Sequence, residues 1–217
     1  MLDRAAPDRP DAAPHGSRNA GIPLPFVYAV FLVSGFAALI YQVVWQRSLF
    51  AIYGVNIESV TVVVTAFMVG LGLGSFAGGM LSENPDRRLL VWFGGIELSI
   101  GAFGLLSLQL FHLVGAWTAG AGGAETFALT FALVLLPTAL MGSTLPLLVA
   151  HTVKQSGNVG RSVGMLYFTN TLGSALAAFA TAMLLLGKLG QAGTVAFAAA
   201  LNVLVGAAVL ILARRKG

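Results

Sequence analysis

The chain has 217 residues, of which 57% are hydrophobic and 9% charged, with a net charge of +4 and a mean hydropathy of +0.87. An ordinary soluble domain carries roughly a quarter charged residues, so this composition excludes a water-soluble globular core. The absence of cysteine excludes disulfides and thiolate metal sites.

In chain order, residues 1–23 read as a disordered cytoplasmic tail of Ala, Pro, Asp and Arg. No short apolar core with a small-residue cleavage site follows a basic start, so the tail is not a signal peptide. Uncharged runs then occupy 19–46, 59–82, 98–124, 126–153, 162–187 and 189–213, and the stretch 89–112 is interrupted only by Glu97. Each exceeds the roughly 20 residues a helix needs to cross about 30 Å of hydrocarbon. The runs are continuously apolar and rich in Ala, Leu and Gly, whereas barrel strands alternate over about ten residues. The expectation is an all-α fold, a membrane domain over 24–213 with six spans near 24–46, 57–81, 89–112, 126–150, 162–186 and 191–213. Residues 214–217 form a basic cytoplasmic end.

Orientation follows from Lys and Arg. With the N-terminus inside, ten of them (Arg4, Arg9, Arg18, Arg87, Arg88, Lys154, Arg161, Arg214, Arg215 and Lys216) fall on the inner side, and only Arg47 and Lys188 on the outer. Positive-inside bias then predicts a multi-pass protein of a bacterial-type inner membrane with both termini cytoplasmic. The basic residues lie in pairs and triplets beside span ends, so the pI of 9.9 is not read as nucleic-acid binding.

Several residues are candidates for packing or for chemistry. Gly70, Gly74 and Gly78, spaced by four, form a smooth face for close helix packing. Gly72-x-Gly74-x-x-Ala77 loosely matches a dinucleotide fingerprint but lies inside a span, not between a strand and a helix, so no cofactor is expected from it. Glu97 sits roughly 12 Å into the membrane, counting about 1.5 Å per residue from Leu89. A carboxylate there costs at least about 2.5 kcal/mol, so it should face the bundle or a wet cavity, either as a proton, cation or amine site or as a hydrogen-bonded tie between helices.

Pro137, Gly142 and Pro146 predict a kink or break in span 4. Tyr167, Asn170 and Ser174 share a face of span 5, where Asn202 of span 6 could meet them as interhelical glue or as a ligand cluster. Tyr41, Gln42, Trp45 and Gln46 read as an interfacial belt at the outer end of span 1, with Gln42 a candidate for the interior. His15, His112 and His151 are too scattered for a metal site. No nucleophile, base and orienting group come together, so the chain is expected not to be an enzyme.

Four blocks carry a family resemblance: residues 34–45 from Ser34 to Trp45, residues 66–75 from Ala66 to Ser75, residues 141–146 from Met141 to Pro146, and residues 164–173 from Gly164 to Gly173. Together they resemble the membrane region of fused spermidine synthase-like proteins, over about residues 26–212. That region is similar to half of a major facilitator fold, and the short basic loop from Ser82 to Arg88 fits the loop between the second and third helices of such transporters. Family members usually carry a cytoplasmic aminopropyltransferase domain after the membrane part. Its glycine-rich cofactor loop and catalytic acid have no counterpart here, so the synthase activity is not carried over. The family also tends to have an acid after the tyrosine of span 1, where this chain has Gln42.

Two functions are expected from these features. The first is a non-catalytic membrane subunit that packs against other membrane subunits or recruits a separately encoded soluble enzyme. The second is a half-size carrier or binding protein for polyamines or other small amines, in which a second copy completes the transporter.

Overall fold

The computed structural model describes residues 22–54, 56–83, 88–120 and 122–215. The tail expected over 1–23 lies almost wholly outside them, as do residues 216–217. Every element among the described residues is helical: α1 (Leu24–Tyr53), α2 (Asn56–Ser82), α3 (Leu89–Trp117), α4 (Gly123–Ser156), α5 (Val159–Ala180) and α6 (Leu186–Arg215). Arg214 and Arg215 form the last turn of α6. Five stretches are long and apolar enough to cross a membrane, and they fit a multi-pass membrane protein.

The fifth stretch, Val159–Arg215, is 57 residues long and contains both α5 and α6. Drawn out straight it would measure about 85 Å, far more than a bilayer core. A π-helical turn at Thr181–Leu185 loosens it, and Gly190 breaks it at φ 64°, ψ −174°, a backbone geometry that glycine adopts without a Cβ clash. Leu166 of α5 and Val205 and Val209 of α6 share one apolar cluster, so the chain doubles back there. Sequence hydropathy placed a loop at 187–190, whereas helical geometry resumes on both sides of the single glycine.

Two kinds of close contact assemble the bundle. The starts of α1 and α3 meet the ends of α4 and α6 in that cluster, through Val27, Phe31, Phe93, Leu148 and Val209. A larger core fills the rest of the bundle around Tyr41, Trp45, Phe67 and Phe111. In the second kind of contact, α2 lies directly on α4. Cβ atoms at Gly70, Gly74 and Gly78 would strike Thr138, the Ala139 carbonyl and the Ser143 backbone, and one at Gly142 would strike Leu71. The glycine face of α2 is thus consumed inside the chain, and it argues for no external partner.

No break occurs in α4, which runs continuously through Pro137, Gly142 and Pro146. Pro146 cannot donate to the carbonyl of Gly142 four residues earlier. That carbonyl accepts instead from Ser75 Oγ of α2 at 3.1 Å. Thr138 Oγ1 adds a second bridge to Ala66 O at 3.2 Å. With a neighbouring hydroxyl in place of the lost donor, the proline is accommodated without unwinding.

Gly74→Leu should therefore lower stability by about 3 kcal/mol or prevent folding, by driving a side chain into the α4 backbone. Gly72→Leu, on the face with nothing within 4 Å, should be tolerated. Thermal unfolding of both variants in mild detergent distinguishes them.

Candidate functional site

Glu97 lies on α3, fully buried, between Gly94 and Gly101 on the same helical face. A Cβ at Gly94 would collide with Leu210 and the Gly206 carbonyl, and one at Gly101 would crowd Ala199 and Asn202. The missing side chains let α6 approach until Asn202 Nδ2 donates to Glu97 Oε2 at 2.6 Å. From α1, Ser34 Oγ donates to Glu97 Oε1 at 2.5 Å.

The chain of polar contacts continues upward. Tyr41 OH donates to Asn202 Oδ1 at 3.0 Å, in space left by Gly104, where a Cβ would meet the tyrosine ring. Trp45, stacked on Tyr41 with ring centroids 5.1 Å apart, donates its Nε1 to Ser107 Oγ at 3.0 Å. The offset between α1 and α3 partners stays at 63 and 62 residues, so these helices run parallel and in register.

Both carboxyl oxygens of Glu97 are occupied and the residue is wholly enclosed. Buried polar groups satisfied in this way hold helices in register. Of the residues expected at the site, Glu97 and Asn202 are brought together. Gln42 is half-buried and bonds to neither. Tyr167 is 64% exposed on the outer face of α5.

Asn170 packs against Gly35 of α1, beside the bond from Ser174 Oγ to Gly35 O at 3.1 Å, and does not meet Asn202. The expected interfacial belt is corrected as well. Tyr41 and Trp45 are completely buried, because each has a hydrogen-bond acceptor inside the bundle. Ser34, Ser107 and Gly104 were missed by sequence reasoning. The signal that could have found the site is the Gly94-x-x-Glu97-x-x-x-Gly101 spacing, which puts small residues on both sides of the acid on one face.

A cavity of about 1320 Å³ opens at the other end of the bundle, where α1 and α3 end and α2 and α4 begin. Tyr53, Glu58, Phe111, His112, Phe127 and Gln191 are among its walls. Neither Glu97 nor Asn202 lines it. No group of three or more His, Asp or Glu able to hold a metal occurs among the described residues.

No family model and no solved structure matches the chain. Two curated relatives do. Polyamine aminopropyltransferase 2 of Streptomyces coelicolor is 26% identical over 227 aligned positions, which cover 97% of this chain and 40% of the relative. Polyamine aminopropyltransferase of Oceanobacillus iheyensis is 24% identical over 178 positions, covering 82% and 33%. Both are named as enzymes. The expectation that the chain is not an enzyme is corrected on that ground. The chain spans less than half the length of either relative, and the similarity is weak.

Replacing Glu97 with Ala should leave the Asn202 amide and the Ser34 hydroxyl without their acceptor and cost about 1–3 kcal/mol of stability. Tyr41→Phe, which removes one interhelical bond, should cost about 0.6–1.7 kcal/mol. Unfolding in detergent measures both, and equal stability of the Glu97 variant and the parent would contradict the tie between helices.

Proposed function

We propose that the chain is a membrane module of polyamine aminopropyl-transfer proteins: a six-pass bundle in a bacterial-type inner membrane, arranged like half of a major facilitator fold, with cytoplasmic termini. In this reading it scaffolds a separately encoded transferase by packing against it. The observation that carries the proposal is the extent of the similarity. Of this apolar chain, 97% and 82% align with a minor part of two proteins named for aminopropyl transfer.

Three structural features support the reading. The break at Gly190 inside the 57-residue fifth stretch supports counting it as two passes in this reading. The described basic residues Arg88, Lys154, Arg161, Arg214 and Arg215 then share the end of the bundle where α1 starts. The polar groups around Glu97 bond to one another, as expected of a bundle whose role is placement. The carrier reading is weaker, because each carboxyl oxygen of Glu97, its intended amine ligand, already holds a donor and Glu97 is not in the wall of the cavity at the end of the bundle.

Co-expression of the chain with the soluble aminopropyltransferase of the same organism tests the proposal. Aminopropyl transfer should sediment with membranes only when the chain is present, and crosslinking should join the two on the cytoplasmic side. An enzyme that stays in the supernatant and yields no crosslink overturns it.

A further inference from the structure

The outer face of α5 carries hydroxyls that the chain itself leaves unpaired. Gly164, Phe168, Thr171, Ala175 and Ala178 recur there at alternating four- and three-residue steps, and all five are exposed. On the other side of the helix Gly173 seats against Leu32 of α1 and Leu166 is buried, so the seam points away from the bundle. An exposed seam of this period is the pattern by which one helix interlocks lengthwise with another.

The surface has the matching shape. A groove of about 370 Å³ lies on this face, and all of its walls come from α5: Gly164, Tyr167, Phe168, Thr171, Leu172 and Ala175. In knobs-into-holes packing each incoming side chain is held by four residues of the facing helix. Gly164, Tyr167, Phe168 and Thr171 make one such hole, and Phe168, Thr171, Leu172 and Ala175 make the next. The knobs that fill these two holes from a parallel helix in the same register are again Phe168 and Thr171.

The polar groups point the same way. Thr169 and Ser174 spend their hydroxyls on backbone carbonyls at 3.0–3.1 Å. Those of Tyr167 and Thr171 have no hydrogen bond among the described residues. Thr171 lies about 18 Å along α5 from Val159, within the hydrocarbon, where lipid tails offer neither donor nor acceptor. A hydroxyl is donor and acceptor at once, so two Thr171 side chains that meet across a two-fold axis satisfy each other. Residues 162–187 hold no charge, and like faces can therefore meet without repulsion.

We propose that this face of α5 docks a second copy of the chain, the two α5 helices lying parallel about a two-fold axis along the membrane normal, with Phe168 and Thr171 as reciprocal knobs. The pairing does not depend on whether a transferase packs against the chain.

The chain has no cysteine, so single substitutions report the contact directly. The purified full chain, reconstituted alone in phosphatidylcholine vesicles and oxidised with copper phenanthroline, should form a disulfide-linked dimer in the Phe168→Cys, Thr171→Cys and Ala175→Cys variants. Leu176→Cys, beside the seam on α5, and Phe76→Cys, on α2, should stay monomeric. All five positions are exposed, so the substitutions are not expected to impair folding. Thr171→Val keeps the side-chain shape and removes the hydroxyl. It should raise the dimer dissociation constant about threefold or more, read by energy transfer between labelled copies on dilution in lipid. No crosslink at any seam position, equal crosslinking at all five positions, or unchanged association of the Thr171→Val variant would overturn the proposal. The vesicles hold no transferase, so failure here leaves the docking of that enzyme to its own test.

Discussion

A carboxyl group inside an apolar bundle must be hydrogen-bonded where it sits, and Glu97 meets that demand by drawing three helices to one point. Ser34 of α1 and Asn202 of α6 each take one of its oxygens, and Tyr41 secures the far side of Asn202. The alternative in hydrocarbon is an unpaired polar group, at a cost of several kcal/mol, so the register of α1, α3 and α6 is set by these few atoms. Glycine makes the arrangement sterically attainable: Gly94 and Gly101 admit α6, and Gly104 admits the Tyr41 ring.

The pairing of α2 with α4 solves the same problem by another route. There the backbones themselves come into contact at Gly70, Gly74, Gly78 and Gly142, as van der Waals packing takes over the part that hydrophobic burial plays in water. The proline at 146 would leave a carbonyl orphaned in lipid, and Ser75 supplies the missing donor from the facing helix. A residue that looks like a helix breaker in one segment is thus neutralised by a hydroxyl some seventy positions away. Both devices pack helices closely in the middle of the bundle, while the cavity of about 1320 Å³ lies at one end.

That division bears on function. The middle of the bundle is closed around Glu97, with a donor on each of its carboxyl oxygens. Two polyamine aminopropyltransferases are weakly similar to the chain, over 97% and 82% of its length.

Much of this was written in the sequence. Uninterrupted apolar runs can bury their backbone polar groups in lipid only as helices, so the all-helical membrane character followed from composition and spacing. A lone acid within such a run had to turn inward, and glycines at four-residue spacing had to lie against another helix, because nothing else in the chain could satisfy either. Which partner each would meet is a property of three-dimensional neighbours, and one helix's sequence holds no record of it. The tertiary structure alone decided that Asn202 goes to Glu97 and Tyr41 and away from Asn170, that Tyr41 and Trp45 turn into the core, and that α4 passes its prolines unbroken. Hydrogen-bond partners contributed by other helices outweigh the local propensities from which a sequence is read.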